Sequence, residues 1–122
     1  MIGYVTLGTN DLARGAAFYD AIAKEMGVGR FMETENFIAW GTAGGAPGLG
    51  LTRPFDGNPA TVGNGVMVAL GASDRAQVDR IYHLALSLGG TDEGAPGDRG
   101  GGFYAAYFRD LDGNKLNAFV MG

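Results

Sequence analysis

The sequence predicts an α+β fold made of two βαβββ units in tandem, about 1–58 and 64–122. In each unit an amphipathic helix covers one face of the sheet. Three observations predict it. Each half opens with a short run of period two, followed by a longer run of period 3.6. The halves also keep step: pairing Asn10 with Ser73 places Asp11 on Asp74, Ala13 on Ala76, Tyr19 on Tyr82 and Gly27 on Gly90, and the same offset of 63 carries Tyr4 to Met67. Finally, the chain closes on a hairpin over 103–120, two apolar-rich runs around Asp110-Leu111-Asp112-Gly113-Asn114, whose Asp-Gly step supplies the positive backbone angle of a tight reversal.

In chain order, residues 2–8 alternate, with Val5 and Leu7 on one side and Tyr4 and Thr6 on the other, as in a half-buried strand. Thr9 and Asn10 offer N-cap oxygens, and Asp11 favours the positive start of a helix running to Gly27. Its apolar arc is Leu12, Ala16, Phe18, Tyr19, Ile22, Ala23 and Met26. Short strands are expected over 29–35, 36–41 and 48–53, with a flexible connection over 42–47. Residues 54–65 read as loop by composition, and 66–70 as a strand with Val66, Val68 and Leu70 on one face and Met67 and Ala69 on the other. Ser73 is the N-cap candidate for a second helix ending at Gly89-Gly90, with the stripe Val78, Ile81, Ala85 and Leu88. Residues 94–102 interrupt the second unit where a strand belongs, and read as either a rim loop or a plain surface linker.

Composition bounds the function. A chain of 122 residues with 46% apolar and 18% charged side chains suits a single globular domain over 1–122. Thirteen acidic against nine basic residues give a net charge of −4, which disfavours the phosphate-led association of nucleic-acid binders. Without cysteine there are no disulfides, thiolate nucleophiles or thiolate metal ligands. Met1-Ile2-Gly3 leads straight into the first strand, with no secretory leader and no spanning segment, so a cytoplasmic protein without a membrane partner is expected.

On the last strand Leu116, Ala118 and Val120 share one face, a floor for helices, and Asn117 and Phe119 share the other. Tyr4, Thr6, Met67, Asn117 and Phe119 would line an apolar cavity with a few polar handles, suited to an aromatic or mixed organic ligand. The alternative is a collapsed interior that binds nothing, although Asn117 is hard to bury without a partner.

The tandem repeat, Asp11-Leu12 and Phe18-Tyr19 in the first helix, the Gly63-Asn64-Gly65 step and the closing Arg109-Asp110-Leu111-Asp112-Gly113-Asn114-Lys115-Leu116 resemble the glyoxalase, bleomycin-resistance protein and extradiol dioxygenase superfamily, the vicinal oxygen chelate proteins. The resemblance spans nearly the whole chain, with Leu111 where the family usually has proline. It implies that the strands form one curved sheet or a pair of half-barrels with the helices outside, with a ligand cavity on the concave sheet face, and a homodimer. In metal-using members it implies ligands on matching strand positions, which here are Tyr4, Met67 and Asn117, with a fourth around 50–52. None of these is an imidazole or carboxylate, so no metal site and no cofactor are expected.

The expected function is therefore metal-free binding of a small organic ligand. The alternative is a metal-dependent lactoylglutathione-lyase-like isomerase or ring-cleaving dioxygenase, which would need Glu33, Glu35 or Tyr4 as replacement groups. Trp40 is either a stacking surface or a core aromatic. Arg53, Arg99 and Arg109 are carboxylate clamps or solvated strand-end residues. His83, the only histidine, falls on the polar side of the second helix, so no nucleophilic triad is expected.

Overall fold

The structure is a computed structural model and describes residues 1–45 and 47–122. The connection expected over 42–47 contains Ala46, which lies outside the described residues. Among the described residues there are two helices and eight strands, and the strands form two four-stranded mixed sheets, neither closed into a barrel. The chain divides into two compact units, Met1–Thr61 and Val62–Gly122.

The first unit contains β1 (Tyr4–Gly8), α1 (Leu12–Glu25), β2 (Gly29–Glu33), β3 (Phe37–Gly41) and β4 (Gly48–Thr52). Its sheet order is β1-β4-β3-β2, with β1 and β4 parallel and the other pairs antiparallel. α1 packs on β2, β3 and β4 through Leu12, Ala16, Phe18, Tyr19, Ile22 and Ala23, so the expected arc is buried except for Met26, which is the half-buried C-cap. It meets Leu7, Ile38, Trp40 and Leu51, all buried. The N-cap is Asp11, whose carboxylate accepts the Arg14 amide at 3.1 Å; Thr9 and Asn10, the expected caps, do other work. Thr9 braces Asp11 through its hydroxyl, and the Asn10 side chain ties down the backbone of Ala60.

The second unit contains β5 (Val68–Gly71), α2 (Arg75–Ser87), β6 (Thr91–Asp98), β7 (Phe103–Arg109) and β8 (Lys115–Met121), in the order β5-β8-β7-β6. Again the first and last strands are parallel. Val78, Ile81, Tyr82 and Ala85 of α2 cover Ala106, Phe108, Leu116 and Ala118, all fully buried. Asp74, not Ser73, is the N-cap, accepting from the Gln77 amide at 2.8 Å. A carboxylate at each cap also complements the partial positive charge of the helix start.

Two expectations about this unit are corrected. Residues 94–98 are not loop but the end of β6, held antiparallel to β7 with register shifts between Asp92 and Gly94 and between Gly94 and Gly97. Glycine and proline fit there because β6 is an edge strand with bulges, which needs fewer ladder hydrogen bonds than an interior strand. The strand expected from Val66 starts only at Val68, because Val66 closes a turn on the Gly63 carbonyl at 3.2 Å and Gly65 takes φ 97°. Met67 therefore precedes the strand instead of alternating within it. No helix among the described residues is long and apolar enough to cross a membrane.

Candidate functional site

The strand registers define a helix-free face on each sheet. In the second unit Lys115 lies opposite Arg109, Asn117 opposite Tyr107 and Phe119 opposite Ala105, and directly opposed residues share a face. Leu116 and Ala118 point to α2, so the expected division of β8 holds. Asn117 is 1% exposed, and its amide oxygen has no hydrogen-bond partner among the described residues. Phe119 stacks on Phe103 with ring centroids 5.6 Å apart.

At the Arg109 end of this face lies an open groove of about 510 Å³. Val62, Val66 and Met67 supply exposed apolar surface and Arg109 and Lys115 supply charge. The structure thus brings together Met67 and Arg109, both expected from sequence, and adds Lys115, Val62 and Val66, which were not. Lys115 was readable in principle: it sits directly across the Asp-Gly hairpin from Arg109, a position fixed by the turn itself. Arg109 is held in place by two acceptors. Its Nε donates to the Glu93 carboxylate and one terminal nitrogen donates to the Gly113 carbonyl at 2.8 Å. The Arg109 guanidinium holds the Glu93 carboxyl below the usual carboxylate range. Asp110 accepts from the Asp112 and Asn114 amides and the Asn114 side chain, each at 2.9 Å, which makes the turn carrying both cations rigid.

The other expected residues fall in the first unit. Tyr4 and Thr6 stand on its helix-free face; Tyr4 is exposed and packs edge-on against Phe37 at 6.4 Å. Tyr4, Phe31, Met32, Phe37 and Ala39 line a shallow apolar recess of about 110 Å³. Trp40 is on the opposite side, under α1, and is 4% exposed. Its indole N–H donates to Asp20 at 2.7 Å, and Asp20 also receives two bonds from Arg30. That arrangement is the core reading of Trp40. Arg53 lines a separate polar groove of about 690 Å³ with Thr9, Asn10, Asn36 and Thr52, and shares it with no other cation.

Glu33 and Glu35 do not form a pair on one strand, because β2 ends at Glu33; Glu33 is bonded to Arg30 at 2.9 Å and Glu35 lies in the following bend. His83 is exposed on α2, edge-on to Tyr82. Among the described residues no group of three or more His, Cys, Asp or Glu side chains is placed to hold a metal ion. Nor does the unpartnered oxygen of Asn117 stand in such a set, since the side chains opposed to it on β5 and β7, Ala69 and Tyr107, add no carboxylate or imidazole.

Comparison with known proteins agrees with this architecture. The Glyoxalase/Bleomycin resistance protein/Dioxygenase superfamily profile matches residues 1–118. The chain is 35% identical to a glyoxalase/bleomycin resistance protein from Albidiferax ferrireducens T118, covering 100% of this chain and 99% of that one with a TM-score of 0.93. Two more distant structures share the fold. A lactoylglutathione lyase from Agrobacterium tumefaciens is 22% identical, with 98% and 92% of the chains covered and a TM-score of 0.71. A glyoxalase/bleomycin resistance protein/dioxygenase family enzyme from Burkholderia phytofirmans PsJN is 17% identical, with 98% of each covered and a TM-score of 0.78. Among curated proteins none matches the sequence. Taken with the tandem βαβββ units and the closing hairpin, the match over almost the whole length means that the chain belongs to the glyoxalase/bleomycin resistance protein/dioxygenase superfamily.

Proposed function

We propose that this protein binds a small organic ligand without a metal ion, on the helix-free face of its second unit. The observation that carries the reading is the groove beside Arg109. It has a volume in the range of small-molecule sites, exposed apolar walls, and charged groups converging at one end. The donor chemistry supports the metal-free part: Tyr4, Met67 and Asn117, at the positions the family resemblance marks, offer a phenol, a thioether and an amide. A homodimer belongs to the same proposal, supported by the exposed apolar side chains of Ile2, Tyr4, Phe31 and Met32 in the first unit.

Two measurements test the proposal. Elemental analysis of protein purified without chelator is expected to find no stoichiometric metal; zinc, nickel, iron or manganese at one per chain would overturn the metal-free reading. A thermal-shift screen of aromatic and thiol-conjugate compounds is expected to return ligands that raise the melting temperature, since a ligand specific to the folded state stabilises it. The Arg109→Gln and Met67→Ala variants are expected to abolish those shifts. Shifts that survive both substitutions would place the ligand elsewhere.

A further inference from the structure

Charge on the helix-free face of the second unit is distributed against the trend of the molecule. The whole chain carries a net charge of −4, yet Arg99, Arg109 and Lys115 converge on this one surface. The Lys115 ammonium lies 5.5 Å from the centre of the Tyr107 ring, and the Arg99 guanidinium lies 5.4 Å from the same ring. Lys115 and Arg109 are directly opposed across the hairpin, a placement in which like charges repel and weaken the sheet.

The acids nearby do not balance them. Glu93 is bonded to Arg109, and the Asp92 carboxylate accepts the Tyr82 hydroxyl from the α2 side. Asp110 is committed to the turn and Asp98 to Arg75. Of the remaining acids Asp112 stands in the turn between Arg109 and Lys115, while the groove itself is lined by two cations and no carboxylate. A cleft lined by an excess of one sign raises the local concentration of the opposite ion and selects for it. Arg109 and Lys115 line the groove, and Val62, Val66 and Met67, each 40% or more exposed, supply its apolar wall.

We propose that the groove selects organic anions, with Arg109 and Lys115 holding a carboxylate or phosphate group while Val62, Val66 and Met67 cover an apolar body. This rests on the ligand-binding reading above and names the class of ligand. Arg109, locked by Glu93 and the Gly113 carbonyl, supplies a preset donor, and Lys115 supplies a mobile point charge. Arg99 contributes through the field only, since it does not line the groove.

The test is a titration of the intact chain followed by amide chemical shifts, with four probes: phenylacetate, phenyl phosphate, the neutral isostere phenylacetamide, and inorganic phosphate. At least one of the organic anions is expected to perturb the amides of 62–67, 109 and 115, and to bind about tenfold more tightly than phenylacetamide, the scale of one charge-assisted hydrogen bond. The tighter of the two organic anions identifies the headgroup. Lys115→Met is expected to reduce the preference for that anion over phenylacetamide. Glu93→Gln, which removes the opposing charge, is expected to tighten both organic anions.

Equal binding of phenylacetamide and the anions would overturn the anion selectivity and leave the ligand-binding reading standing. Inorganic phosphate binding as tightly as the organic anions would overturn the organic part. Failure of all four probes to perturb the groove would overturn both readings together.

Discussion

Replacing Asn117 by leucine should make the ligand-free protein more stable. Asn117 is 1% exposed in the middle of β8, and its amide oxygen is buried without a hydrogen-bond partner among the described residues. An unsatisfied buried polar group costs about 1–3 kcal/mol of desolvation relative to a satisfied one. Leucine has as many side-chain heavy atoms as asparagine and the same branch point, so Asn117→Leu removes that penalty without opening a cavity, and neighbouring Phe119 and Tyr107 gain an apolar contact. The expected gain is about 1–2 kcal/mol, allowing for strain from the bulkier, tetrahedral end of leucine. For a chain of 122 residues each kcal/mol moves the melting temperature by about 4 °C, and by about twice that if the second unit melts alone.

The assay is calorimetric or dichroism melting of wild type and Asn117→Leu side by side, with Asn117→Asp as a control that buries a charge and should destabilise strongly. An increase in melting temperature would mean that the asparagine is held against the interest of stability, as polar groups at binding sites often are. A decrease of several degrees in Asn117→Leu would refute the reasoning, because it would mean that the amide makes compensating bonds in solution and is an ordinary structural residue.

The remaining predictions concern the first unit. Arg30 and then Trp40 donate to Asp20, and its carboxyl is held below the ordinary carboxylate range, chiefly by the Arg30 hydrogen bond. A depressed folded-state value means stability that is present above the unfolded value near ~3.9 and is lost as pH falls through the folded one. Asp20→Asn should flatten the acid limb of the stability profile, and fluorescence of the single Trp40 should report the change directly. A profile identical to wild type would show that the carboxylate contributes nothing. Gly50→Val should be strongly destabilising: even a Cβ there would meet the Phe37 ring at 2.6 Å and the Thr6 methyl at 3.3 Å, and overpacking of that kind costs about 1–3 kcal/mol in urea melts. A neutral result would mean that the ring swings aside freely.

Legibility from sequence followed the strength of each periodic signal. The helices and the hairpin were readable because long amphipathic arcs and an Asp-Gly turn are local, redundant signals, and the buried faces of α1 and β8 fell where alternation put them. β6 was not readable: its composition, Thr91–Asp98 with three acids, two glycines and a proline, carries no apolar alternation, and only pairing with β7 makes it a strand. The caps were misjudged by one residue in both units, since Thr9, Asn10 and Ser73 are good caps intrinsically and only three-dimensional geometry selects Asp11 and Asp74. The site was half legible. Met67 and Arg109 could be nominated from repeat and turn, but Val62 and Val66 enter through the path of the loop before β5, which no period encodes.

The repeat also explains why the charged groove lies in the second unit. Val5 pairs with Leu49 in parallel register, as Val68 does with Leu116, so Gly48 corresponds to Lys115 and Gly50 to Asn117. At the two places where the second unit has an ammonium and an amide, the first unit has glycines. The space above them is filled by rings: a Cβ at Gly48 would sit 2.8 Å from Phe31, and one at Gly50 would sit 2.6 Å from Phe37. In the first unit the helix-free face is therefore apolar and its side chains cover their own backbone, leaving a recess of about 110 Å³. In the second, Lys115 and Asn117 fill the corresponding strand positions themselves, beside the Tyr107 ring, and Arg109 and Lys115 line a groove several times larger. One backbone plan thus carries two surfaces of different chemistry, a self-covered apolar one suited to contact with protein and a charged, open one suited to a small anion. The difference comes down to whether the middle strand carries glycine under phenylalanine or a polar side chain of its own.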